Sequence, residues 1–119
     1  MIKRWMLSMV PGDTLRLSLF LLQSDSERSP VDLTGCSATM DVREHSRSSE
    51  VVDLLTVENG RLSIAPADGR IDAVFDADIT ADYPVRKGVG VMRVQWSDGS
   101  IKSVAHFDIA PLRGRGRRS

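Results

Sequence analysis

The chain has 119 residues, 41% hydrophobic and 27% charged, a balance that suits one soluble domain and argues against a disordered chain. Sixteen Lys and Arg offset sixteen Asp and Glu. The single cysteine, Cys36, excludes an intrachain disulfide framework and a Cys-rich zinc site.

A domain of this length buries roughly two thirds of the surface its unfolded chain exposes, so it needs no covalent staples. The neutral total hides an asymmetry. Residues 113–119, Arg-Gly-Arg-Gly-Arg-Arg-Ser, hold four of the basic side chains and no acid. Residues 1–112 therefore carry 12 basic against 16 acidic groups, a net of −4, which divides the chain into an acidic body and a cationic tail.

Residues 4–10 read as a first strand with Trp5, Leu7 and Met9 on one face. The apolar run there is interrupted by Ser8 and stopped by Pro11, too short for the core of a signal peptide. No apolar stretch approaches the roughly 20 residues needed to span a bilayer. Pro11-Gly12-Asp13 is a turn. Thr14 to Leu22 then alternates, with Leu15, Leu17, Leu19 and Leu21 on one face. Phe20 and Leu22 join the other face, which predicts that this end is covered on both sides.

Ser29-Pro30-Val31-Asp32-Leu33-Thr34-Gly35 continues neither neighbouring strand, since Pro30 lacks an N–H and Gly35 is free to take positive φ. It reads as a segment crossing from one packed sheet to another. Cys36 to Glu44 resumes the period of two, with Cys36, Ala38, Met40 and Val42 on one face. His45 to Glu50 is a polar loop.

Asn59-Gly60 is a strong hairpin dipeptide because a type I′ turn needs positive φ at both central residues. Centred there, Val57 faces Leu62 and Leu55 faces Ile64. Asp68-Gly69 permits a second hairpin, with Ile64 opposite Ala73 and Leu62 opposite Phe75. Together the two turns predict a three-stranded meander over residues 51–76. Asp78 or Thr80 is placed to cap a helical turn near residues 78–83, which Pro84 would stop. Asp98-Gly99 marks a third two-residue turn, in which Trp96 faces Ile101, Met92 faces Ala105 and Gly90 faces Phe107. The fold class that follows is all-β: an antiparallel sandwich or barrel of about seven to eight short strands with one helical turn.

Catalytic chemistry has little footing. His106 and Asp108 share a strand face and His45 lies in a Ser-rich loop, but no nucleophile motif surrounds them. Asp76, Asp78 and Asp82 lack the spacing, glycine and terminal glutamate of an EF-hand, and capping explains Asp78 more simply. No metal or cofactor is expected. Gly88-Val89-Gly90 precedes a strand, not the helix a phosphate-cradling loop needs, and Cys36 reads as a small core hydrophobe. Arg113, Arg115, Arg117 and Arg118 are the candidate partner-binding residues. Arg alternating with Gly presents flexible charged forks for phosphate, carboxylate or an acidic protein surface; the alternative is a solubilising end. An acidic body with 5% aromatic residues favours a protein partner, leaving nucleic acid open only to the tail.

Taken in order, "PGDTLRLSLFLL", "SPVDLTGCSATMDVRE", "LTVENGRLSIAPADGRIDAVFDADITADYP" and "GVMRVQWSDGSIKSVAHFDIAP" resemble a family of small tail-associated structural proteins of tailed bacteriophages and prophages. The matching positions are Gly12, Asp13, Asp32 to Gly35, Arg43, Asn59, Gly60, Gly69, Ile71, Asp98 and Gly99, over roughly residues 11–111. The family's usual tyrosine is replaced within Met92–Trp96, and the Arg-Gly tail is not a family feature. The resemblance implies an immunoglobulin-like sandwich without enzymatic activity. Such a module would dock in a tail, baseplate or fibre-attachment assembly, in several copies beside other virion proteins. It would be present in the bacterial cytoplasm during assembly and then in the virion. A capsid decoration or head-to-tail adaptor protein is the alternative within the particle. A carbohydrate- or host-surface-binding module, using Trp5, Tyr83 and Trp96, is the alternative outside it. Neither a membrane nor a small-molecule substrate is expected.

Overall fold

In the computed structural model, which describes residues 3–23, 27–44, 51–81 and 88–111, strands form where apolar side chains recur at every second position. They are β1 (Lys3–Met9), β2 (Leu15–Phe20), β3 (Ser37–Arg43), β4 (Asp53–Thr56), β5 (Leu62–Ala65), β6 (Arg70–Phe75), β7 (Gly88–Gln95) and β8 (Ile101–Pro111). A 3-10 turn, Pro66–Asp68, precedes β6, and one helix, α1 (Ala77–Ala81), follows it. The strands make two sheets, ordered β1-β8-β7-β3-β4 and β2-β6-β5. The chain is an all-β sandwich, as its alternation predicts.

The inner faces supply the core. Met40 and Val42 of β3, Met92 and Val94 of β7, and Phe107 and Ile109 of β8 meet Ile71 and Phe75 of β6, all essentially inaccessible to solvent. Gly90 belongs to this core by having no side chain. A Cβ there would sit 2.7 Å from Met40 Cε, so the glycine makes room for the methionine.

The crossing segment behaves as its composition predicts, taking the chain from β2 in the small sheet to β3 in the large one. Leu33 is buried and Val31 packs against the core. Asp32 Oδ1 accepts from Thr34 N (3.0 Å) and Thr34 Oγ1 (2.6 Å), holding the turn that Gly35 completes at φ +79°. Those two bonds stabilise the charged carboxylate and lower the Asp32 pKa. The segment is clamped to the turn before β6. Val31 N donates to Leu21 O, Leu21 N to Gly69 O, and Leu33 N to Pro66 O, at 2.8–3.1 Å.

Three turn expectations change. Asn59-Gly60 does not close a hairpin, because β4 pairs with β3 in the large sheet while β5 pairs with β6 in the small one. Residues 51–76 are therefore not a meander. Asn59 instead organises a crossing: Oδ1 accepts from Thr56 N and Arg61 N, Nδ2 donates to Leu54 O, and its own N–H donates to Thr56 Oγ1. At Asp68-Gly69 the hairpin exists, but its loop is Pro66–Gly69. The register is consequently Leu62↔Ala73 and Ile64↔Ile71, two residues from the expected one, and an even shift leaves the same face inward.

At Asp98-Gly99 the loop has three residues. Gly99 takes φ +93°, Trp96 N bonds Ser100 O, and Gln95 pairs with Ile101 in place of Trp96. A bulge between Met92 and Arg93 restores the expected Met92↔Ala105 and Gly90↔Phe107 pairs. One pairing is not antiparallel: β1 runs parallel to β8, with Lys3 opposite Ala105 and Leu7 opposite Ile109.

Candidate docking site

Each sheet has two strands with an unpaired edge among the described residues: β1 and β4 in the large sheet, β2 and β5 in the small one. The turn over Pro11-Gly12-Asp13 sets β1 beside β2 across the sandwich. Gly12 takes φ +90° and Asp13 N donates to Val10 O at 3.0 Å. Thr80, fully buried on α1, fixes this turn: its Oγ1 accepts from Gly12 N (3.0 Å) and donates to Asp13 O (2.8 Å). The helical turn expected near residues 78–83 thus lies at Ala77–Ala81, and its threonine anchors a distant turn. Asp82 and Tyr83 fall outside the described residues.

Between the two edges lies a groove of about 410 Å³ lined by Trp5, Met6, Leu7, Leu17, Ser18, Leu19, Phe20 and Phe107. The indole of Trp5 stacks on Phe107, opposite it in the β1–β8 register, with ring centroids 5.5 Å apart and planes at 27°. Met6 is 61% exposed and Phe20 54%. The expectation that the end of β2 is covered on both sides is therefore corrected: Phe20 and Leu22 stand in solvent. Their signal was already visible as apolar residues on both faces of one strand, but it marked an exposed surface, not a second core contact.

Polar groups elsewhere are tied into structure. On the outer face of the large sheet, Asp41 is only 8% exposed and sits between Arg43 (2.9 Å) and Arg93 (2.7 Å). Burial raises its pKa, but the hydrogen bonds and charges of the two guanidinium groups outweigh burial and hold the carboxyl below its ordinary value. Asp53 on β4 and Arg61, just before β5, form a two-pronged pair (2.7 and 3.1 Å) that links the sheets. Arg61 also donates to Val74 O and lies over the Phe75 ring. Asp98 in the last turn accepts from Ser100 N and Oγ, which lowers its pKa.

On the face that His106 and Asp108 share, Asp108 is held by Arg4 at 2.8 Å across the β1–β8 ladder. His45 and the four tail arginines, Arg113, Arg115, Arg117 and Arg118, lie outside the described residues. Among the described residues no three His, Cys, Asp or Glu side chains come together as a metal site. Gly88 and Gly90 lie inside β7. Cys36 is half-buried against the core.

No family model matches this sequence, and no curated protein matches it. Among solved structures the chain is similar to the crystal structure of CopC from Methylosinus trichosporium OB3b, at 15% identity and a TM-score of 0.44, over 94% of this chain and 88% of that one. The reading of a bacteriophage virion protein, together with its decoration, adaptor and surface-binding alternatives, is corrected: no family model and no curated match supports it, and it is not carried forward. The physical reason is visible in the fold. Asp32-Leu33-Thr34-Gly35, Gly69 and Asp98-Gly99, which carried the resemblance, are side-chain-capped turns and close backbone approaches that any β-sandwich uses.

Proposed function

We propose that this chain is a non-catalytic protein-binding module whose open side, between β1 and β2, receives an extended segment of a protein partner. One observation carries the reading: two free strand edges flank the same apolar groove, with Met6 and Phe20 exposed at its rim. A free edge offers a row of N–H and C=O groups to an added strand, and a groove beside it takes that strand's alternate side chains. The engagement of Asp41, Asp53 and Asp108 by arginines supports a non-catalytic role. Arg113, Arg115, Arg117 and Arg118 would add charged forks for an acidic part of the partner.

The test is selection of a displayed library of extended peptides on the full chain. Enriched sequences should alternate apolar and polar residues, and a bound peptide should slow amide hydrogen exchange along β1 and β2. Selection without enrichment, or protection confined to other strands, would refute the reading.

A further inference from the structure

We propose that Asn59 is a site of spontaneous deamidation, that the fold holds the reaction in check, and that its completion uncovers the β4 edge. Asn59 is the only asparagine in the sequence, and a glycine follows it. An asparagine in front of glycine is the reactive case in polypeptides, because glycine has no side chain to hinder attack by its backbone nitrogen. Water is the only co-reactant. Gly60 N loses its proton and bonds to Asn59 Cγ, the Cγ–Nδ2 bond breaks, and ammonia leaves. Water then opens the resulting cyclic imide at either carbonyl. One product is an ordinary aspartyl link; the other is an isoaspartyl link, in which the main chain runs through the former side chain.

The folded chain opposes the first of these bonds. Asn59 Oδ1 accepts from Thr56 N and Arg61 N, both at 3.0 Å, while Nδ2 donates to Leu54 O at 3.0 Å. Asn59 N donates to Thr56 Oγ1 at 2.9 Å. Gly60 N, the attacking atom, donates to Val57 O at 3.1 Å. Turning Cγ onto Gly60 N breaks the side-chain bonds, so the reaction waits for the crossing between β4 and β5 to open. The same bonds cover the edge of the large sheet. Among the described residues no strand lies beyond β4, and the Asn59 amide stands in for one by holding Thr56 N–H and Leu54 C=O. The aspartyl product keeps an acceptor for Thr56 but sets a carboxylate against the Leu54 carbonyl. The isoaspartyl product draws the carbonyl that served Thr56 into the main chain. Either way Leu54 C=O loses its donor and the edge loses its cover.

The test incubates the full chain in mildly alkaline buffer, folded and in concentrated urea. Mass spectrometry of the peptide containing residue 59 follows the replacement of NH2 by OH. The folded chain should react at least about tenfold more slowly than the unfolded one. Thr56→Val removes the acceptor of Asn59 N; it should speed the folded chain's reaction by about fivefold, the factor for one lost hydrogen bond, and leave the rate in urea unchanged. Equal folded and unfolded rates in the parent would overturn the proposal. So would an absence of reaction in urea, or a folded Thr56→Val chain that reacts at the parent's rate. Should that variant fail to fold, the parent's two rates still decide. The modified chain, separated by its extra negative charge, should unfold at lower urea and exchange the Thr56 and Arg61 amide protons faster. Unchanged exchange at both would show that the edge keeps its cover, and would equally overturn the proposal.

Discussion

Replacing Gly69 by alanine, beside the same change at Gly60, separates a close backbone approach from backbone strain alone. Gly69 has φ +61° and Gly60 φ +80°, so each alanine takes a left-handed conformation that costs roughly 1–2 kcal/mol. At Gly60 the added Cβ meets nothing within 4 Å. At Gly69 it falls 2.7 Å from Leu21 O, 2.9 Å from Val31 O and 3.0 Å from Val31 N, all backbone atoms with no rotamer to move. Relief requires the crossing segment to lift away from the turn. That strains the bonds Leu21 N to Gly69 O (2.8 Å) and Val31 N to Leu21 O (2.9 Å), each worth about 1 kcal/mol net. Gly69→Ala should therefore cost about 2 kcal/mol more than Gly60→Ala. The gain from a stiffer unfolded chain is common to both and cancels in the comparison. Equilibrium urea unfolding with unchanged slope reads the difference directly, and melting should differ by about 6–12 °C for a chain of this size. Equal midpoints for the two variants would refute the claim that the crossing segment is clamped at Gly69.

The two-pronged Asp53–Arg61 pair is largely shielded, so Arg61→Ala, which removes both of these bonds to the Asp53 carboxylate, should cost about 2–3 kcal/mol, and Arg61→Lys less. A double-mutant cycle in urea with Asp53→Ala should return a coupling of about 1 kcal/mol or more; no coupling would mean that the pair does not join the sheets. Thr80→Val keeps the shape of a fully buried side chain but orphans Gly12 N–H and Asp13 C=O. A loss of about 2 kcal/mol is expected, with faster amide exchange in the β1–β2 turn, and unchanged exchange there would contradict the anchoring role. Asp41 titrates below its ordinary 3.8 in the folded chain, so its ion pairs contribute fully above the unfolded value and are lost as pH falls through the folded one. The stability gap between the parent and Asp41→Asn should accordingly be constant near neutrality and shrink below pH 3.8; a gap that persists in strong acid would show that Arg43 and Arg93 do not act through the charge.

The sequence made individual strands legible and left some of their partners hidden. Period-two alternation identifies the inward faces of Leu15–Leu21, Ala38–Val42 and Met92–Val94, because burial on one face leaves no other arrangement. Turn chemistry was less informative. Asn59 suits a type I′ hairpin, but it serves equally as a hydrogen-bond hub when the next strand belongs to the other sheet. Nothing between Leu55 and Leu62 records that difference. The Asp68-Gly69 register slipped because Pro66 lengthens the loop with a 3-10 turn, and the even slip kept Leu62 and Ile64 inward. The docking groove was readable only as an excess of apolar residues at Phe20 and Leu22. Whether such an excess meets a core or solvent depends on how wide the facing sheet is, and among the described residues the small sheet has three strands.

The parallel β1–β8 pair has a consequence for the order in which the molecule comes into being. Lys3 lies opposite Ala105 and Met9 opposite Pro111, so β1 finds its partner only after the other described strands between them have been made. Until then the face bearing Trp5 and Met9 has no ladder to join, and closing so long a loop is slow. Assembly of the large sheet can begin with the local β7–β8 hairpin and take in β1 last. In that order of events β8 is the open edge of the large sheet until β1 arrives, the kind of exposed edge through which partly folded chains misassociate.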